Sequence, residues 1–157
     1  MERISWDELF MEITRLYGKR SFCKHFQVGV VFSRKNRILC AGYNGPPKGE
    51  VHCIDIDVGC AKEDADGNRL PTGSGLCRGS HAEMNALANA NIEHVSLEGA
   101  IVHCTYSPCY DCAEVLVHLG IKEFVFEHWY KDSGEDSKAI QLFKRQGINV
   151  RQTKRRD

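Results

Sequence analysis

The sequence predicts an α/β protein, a single domain whose mixed sheet of about five strands is covered by helices on both faces. Three observations lead there. The chain has 157 residues, 42% of them hydrophobic and 27% charged, the size and balance of one soluble domain with a real core. From about residue 82 to the end, helical and strand periodicities alternate. The first half opens with a helix followed by a hairpin, and no internal repeat or low-complexity segment interrupts the order.

Each element has its own local reason. In "SWDELFMEITRLYG", Ser5 and Glu8 have capping-box spacing, and Leu9, Phe10, Ile13, Leu16 and Tyr17 follow at helical intervals, so a helix is expected to end near Gly18. "QVGVVFS" (27–33) and "RILCAGYN" (37–44) are short and apolar or β-branched, joined by Arg34, Lys35 and Asn36, and read as a hairpin. Residues 45–78 hold most of the Gly and Pro with no sustained period. A loop of that length is uncommon in a compact domain unless something ties it down. Then come a helix from about 82, a strand at "GAIVHCT" (99–105), a helix from about 109 to Leu119 and a strand at "KEFVFE" (122–127). A helix near 136–146 and a strand at "INVRQ" (148–152) complete the order.

Charge and hydropathy exclude some functions. With 21 basic and 21 acidic residues the chain is formally neutral, so it lacks the electrostatic footprint of a binder of long nucleic acids. The basic cluster Lys154, Arg155 and Arg156 reads as a solvated tail. No apolar run approaches the ~18 residues of a membrane span, and Glu2, Asp7 and Glu8 spoil any secretion signal, so a cytoplasmic protein is expected. Eight cysteines in a reducing compartment are expected to be thiols or metal ligands, not disulfides.

Two stretches carry chemistry. "GSHAEMNAL" (79–87) places His81 and Glu83 where an alanine-rich run begins, and "TYSPCYDCAEVL" (105–116) places Cys109 and Cys112 after Pro108 at a helix start. There, free N–H groups and the positive end of the macrodipole favour thiolate, the zinc-binding form. One imidazole and two thiolates are three ligands, the number a catalytic zinc uses when its fourth position is left to water. Glu83 is then placed to move a proton. Taken alone, Cys-x-x-Cys could be a redox pair or a structural zinc half-site; the combination with His-x-Glu is what points to catalysis.

His-x-Glu with Pro-Cys-x-x-Cys is the pattern of zinc-dependent nucleobase deaminases. Together with "VGVVFSRKNRILCAGYNGPPKG", "LCRGSHAEMNAL" and "CTYSPCYDCAEVLVHLGIKEFVF", it makes the chain resemble deoxycytidylate (dCMP) deaminases over roughly residues 5–150 of one domain, 1–157. The resemblance implies the three-layer cytidine-deaminase-like fold and hydrolysis of dCMP to dUMP and ammonia. It implies zinc held by His81, Cys109 and Cys112, with Glu83 carrying a proton to N3 of the cytosine ring and then to the departing amine. Asn44 would contact the sugar and Tyr130 would close over the base. Also implied are effectors such as dCTP or dTTP with Mg²⁺, bound through Gly42, Tyr43, Asn44 and Gly45 at a subunit contact, and a homo-oligomer, a hexamer or a dimer. Other readings are a deaminase of a free nucleoside, a riboflavin-pathway pyrimidine or a tRNA adenosine, or a zinc-stabilised binding module without chemistry.

Of the other cysteines, Cys40 and Cys104 lie in apolar strands and read as core residues. Cys23, Cys53, Cys60 and Cys77 flank or lie in the long loop and could close a second, structural zinc site, with His52 an alternative corner. Related deaminases carry a second zinc in this region. One position departs from the family pattern: His25 stands where many relatives have an arginine that helps to bind the 5′-phosphate. A histidine lacks the permanent charge and bidentate fork of arginine. Arg20, Lys24 or Lys48 could supply the missing charge.

Overall fold

Ser5 starts the first helix as expected. Its Oγ accepts from the Glu8 N–H at 3.2 Å, the Glu8 carboxylate accepts from the Ser5 N–H at 2.7 Å, and α1 runs over Trp6–Gly18. The computed structural model describes residues 1–71, 77–131 and 133–154; Arg155 and Arg156 of the basic tail and most of "PTGSG" lie outside them. The hairpin follows as β1 (Gly29–Arg34) and β2 (Arg37–Tyr43), turning on Lys35 and Asn36. Both turn residues are left-handed, with φ of 51° and 59°, as a tight hairpin requires.

The strand expected from residue 27 begins at Gly29, because the Asn44 side chain occupies the backbone groups just before it. Asn44 Oδ1 accepts from the Val28 N–H and its Nδ2 donates to the Phe26 carbonyl, both at 2.8 Å. Beyond the long loop come α2 (Ala82–Ile92), β3 (Ile101–Tyr106), α3 (Tyr110–His118), β4 (Glu123–His128), α4 (Lys138–Arg145) and β5 (Asn149–Gln152). The sheet order is β2-β1-β3-β4-β5. β1 runs antiparallel to both its neighbours, β2 and β3, while β3, β4 and β5 are parallel, so the expected five-stranded mixed sheet is what forms.

Alternation along β1 assigns the faces. Val30 and Phe32 join the larger core with Ala86 of α2, Leu116 of α3 and Phe143 of α4, whereas Val31 packs with Phe10 of α1 on the opposite face. Helices therefore cover both faces. Gly42 lets α2 lie directly on β2: a Cβ there would sit 2.6 Å from the Ala86 nitrogen and 2.7 Å from the Ala82 carbonyl oxygen. Two asparagines then fasten the helix. Asn85 donates to the carbonyls of Tyr43 (2.9 Å) and Gly45 (3.2 Å), and Asn89, one turn on, donates to that of Ala41 (2.9 Å). β2 is an edge strand, and these amides tie α2 to the carbonyls of Ala41 and Tyr43 on it and of Gly45 just beyond it.

Candidate active site

His81 and Cys109 are the N-cap residues of α2 and α3, the helices on either side of β3 in the chain. β3 and β4 are parallel neighbours, so the loop after β3 opens at the carboxyl edge of the sheet, where ligands bind in open α/β folds. His81 Nδ1 lies 3.3 Å from Cys109 Sγ and 3.4 Å from Cys112 Sγ. For a tetrahedral ion with zinc-like bond lengths, the nitrogen-to-sulfur edge is about 3.5 Å. The three donors therefore fit one zinc ion with little adjustment.

The helix start also biases their charge. Cys109 Sγ accepts from the Cys112 N–H at 3.4 Å. Its thiol pKa is lowered to about 4, chiefly by the hydrogen bond from the Cys112 thiol, with His81 adding to the effect. Cys112 moves the opposite way, because its thiol hydrogen-bonds to Cys109 and is buried. The hydrogen bond to Cys109 in turn raises the pKa of His81. A negative sulfur held between two proton donors is a ready place for a cation.

Glu83, in the first turn of α2, is only 6% exposed. Burial pushes its carboxyl pKa up, against the pull of its own backbone N–H and of His81. It lines a cavity of about 570 Å³ together with His81, Cys109, Asn44 and Tyr130, so five residues named from the sequence share one concavity. Cys112 lies buried behind the wall. Both ends of the Asn44 amide already bond to the backbone, leaving one N–H and one lone pair for a ligand. The Tyr130 ring packs 5.1 Å from that of Phe26, and its backbone N–H donates to Ser107 Oγ at 2.9 Å.

The loop cysteines are arranged more loosely. Cys23, Cys53, Cys60 and Cys77 all line the same cavity. The Cys53 thiol is pushed up by burial and, beyond that, by Cys60, Cys77 and Cys23, which places the four sulfurs in one neighbourhood. Among the described residues, however, the tight three-donor cluster in this region is His25, Cys60 and Glu63, whose ligand atoms lie within 4.8 Å of one another. The alternative corner His52 stacks edge-on against Phe22, its ring 5.3 Å away. Cys104 is fully buried and Cys40 half-buried, its thiol pushed up to about 11 by burial, as befits core residues. Of the residues tied by resemblance to effectors, Gly42 is filled against α2, while Tyr43 and Gly45 offer carbonyls to Asn85.

Asn85 stands in the stretch singled out with His81 and Glu83, but Asn89 and Glu63 escaped the sequence reading. Asn89 could have been found as an amide one turn beyond Asn85 in an apolar helix, a spacing that aims both at one neighbour. Glu63 could not, because its partners Lys24 and His25 lie nearly forty residues away.

Comparison with known proteins agrees with this geometry. Residues 4–128 match the family described as "Cytidine and deoxycytidylate deaminase zinc-binding region". The chain is 38% identical over 151 residues to the deoxycytidylate deaminase of Schizosaccharomyces pombe, an alignment covering 96% of this chain but 44% of that protein. It is 36% identical to the human deoxycytidylate deaminase, covering 94% of this chain and 79% of the relative. The crystal structure of dCMP deaminase from the cyanophage S-TIM5, in complex with dCMP and dUMP, superposes with a TM-score of 0.75 at 27% identity, covering 98% of this chain and 100% of the other.

Proposed function

The chain belongs to the cytidine and deoxycytidylate deaminase family, and from that premise we propose that it hydrolyses dCMP to dUMP and ammonia. The observation that carries this reading is a buried carboxylate, Glu83, at the wall of the cavity where His81, Cys109 and Cys112 converge. A purely structural metal site has no use for that carboxylate.

His81, Cys109 and Cys112 would hold zinc, whose contribution when bound is to bring the pKa of water from 15.7 down to about 7. Glu83 takes a proton from the attacking water as its oxygen bonds to C4 of the cytosine ring, and delivers it to N3. It then moves the hydroxyl proton to the exocyclic nitrogen, so that the C4–N bond breaks and ammonia leaves. A carboxyl whose pKa is raised by burial suits this exchange, because it gives up a proton almost as readily as it takes one. Asn44 directs its remaining donor and acceptor to the sugar, and Tyr130 covers the base.

Around the loop, Cys23, Cys53, Cys60 and Cys77 hold a second, structural zinc that ties the loop to the cavity wall. Regulation by dCTP or dTTP with Mg²⁺ through Gly42, Tyr43, Asn44 and Gly45 belongs to the same reading, as do a hexameric or dimeric assembly and a cytoplasmic location. Among the described residues no helix is long and apolar enough to cross a membrane.

Ammonia release decides the reading. Zinc-loaded protein is expected to deaminate dCMP in preference to CMP, dCTP, deoxycytidine or 5-substituted dCMP. Inactivity on every one of them would instead identify a binding module.

A further inference from the structure

The phosphate end of a nucleotide needs a cation, and Lys24 and His25, on the connection before β1, both lie beside Glu63. Glu63 Oε1 lies 3.0 Å from His25 Nε2 and its Oε2 lies 3.4 Å from Lys24 Nζ. Lys24 and His25 line the cavity, and the Glu63 carboxylate lies behind them as a competitor for their N–H groups. The other candidates from the sequence, Arg20 and Lys48, are exposed and do not line the cavity.

The segment that brings Glu63 also brings Arg69, paired with it across a small antiparallel hairpin. This hairpin is well built for a loop. Asp64 Oδ1 accepts from the N–H groups of Asp66 (3.0 Å) and Asn68 (2.8 Å), the Asp64 N–H donates to the Asn68 carbonyl (2.9 Å), and the Leu70 N–H donates to that of Lys62 (2.8 Å). Gly67, with φ of +80°, makes the turn. The Arg69 guanidinium stacks 4.9 Å above the Phe26 ring, which packs against Tyr130 and Tyr106, and all four line the candidate active-site cavity. Stacking on an aromatic face fixes the plane of the fork and leaves its N–H edges available to an anion. Among the described residues, no carboxylate is paired with Arg69.

We propose that Arg69, presented by the 62–70 hairpin at the cavity wall, is the residue that binds the substrate's 5′-phosphate in this protein. The inference rests on the deaminase reading above. One stretch of chain thus sets a carboxylate, Glu63, beside His25 and, six positions on, a guanidinium at the cavity wall.

The test compares kcat/KM for dCMP with that for deoxycytidine in the zinc-loaded wild type and in Arg69→Gln, Arg69→Lys and His25→Asn. A charged hydrogen bond to phosphate corresponds to about 10- to 100-fold in affinity. Arg69→Gln is therefore expected to lower the dCMP-to-deoxycytidine ratio about 10- to 100-fold, mainly through KM for dCMP. Arg69→Lys should restore part of it, and His25→Asn should change it less than threefold. A hairpin that merely shaped the cavity would move both substrates together and leave the ratio alone. An unchanged ratio in Arg69→Gln, or a collapse of the ratio in His25→Asn, overturns the assignment while leaving the deaminase reading intact. A wild type inert toward both substrates refutes the deaminase reading, and this inference with it.

Discussion

The two donor clusters use the same side-chain chemistry but are held in different ways. His81, Cys109 and Cys112 stand at the first residues of two helices that pack on one sheet, and their donor atoms already lie near the edges of a zinc tetrahedron. Cys23, Cys53, Cys60 and Cys77 stand on connecting chain, gather in one neighbourhood, and share Cys60 with a competing group made by His25 and Glu63. The difference teaches that hydrogen-bonded helix ends hold donor atoms close together by backbone geometry, whereas side chains on connecting chain gather more loosely.

The largest expected effect separates chemistry from metal at the helix-start cluster. Glu83→Gln should reduce dCMP turnover by about 10²- to 10⁴-fold while zinc content stays at the wild-type value. Undiminished ammonia release would remove Glu83 from its role. Metal analysis sharpens the contrast between clusters. Cys109→Ser should lose the metal of the first site but keep the loop metal, and Cys60→Ser should do the reverse and leave the loop sensitive to proteolysis. A single tightly held zinc per chain that survives Cys60→Ser would leave only one metal centre.

The pre-set geometry of the first cluster can also be attacked through packing. Gly42→Ala, which forces a methyl against the backbone of α2, should destabilise the fold by about 1–3 kcal/mol in denaturant unfolding and weaken zinc retention at His81. Cys60→Ser should cost less stability, because no core element leans on it.

The smallest effect concerns the strand beneath the helix starts. His103 on β3 is 1% exposed, its Nε2 bonds Asp7 Oδ1 at 2.9 Å, and its Nδ1 is buried without a partner. Burial lowers its pKa, with Arg151 contributing in the same direction and Asp7 and Glu123 opposing. Because the folded-state value lies below the unfolded value of about 6.5, the stabilisation from keeping His103 neutral is complete above pH 6.5 and fades as pH falls through the folded value. The melting temperature should therefore decline from pH 7 toward 5, and His103→Gln should flatten that decline. An identical slope in both proteins would show that another group controls it.

Much of this was legible from residues alone, for reasons of period and local chemistry. A capping box, alternating apolar residues and a Pro before a helical run report the backbone directly, so the nine elements and the helix starts at residues 81 and 109 could be placed with boundaries off by at most two positions. The donor types and their spacing likewise identified the metal chemistry, because sulfur and imidazole at the start of a helix have few other uses as a set. The placing of His25 beside Glu63 was decided by tertiary structure. So were the looser gathering of the four loop sulfurs, the fastening of α2 to an edge strand by Asn85 and Asn89, and the place of Arg69 on Phe26. Most of those contacts join distant positions through chain without a repeating pattern, and no local rule encodes which of several nearby groups will meet when such a chain folds back on itself.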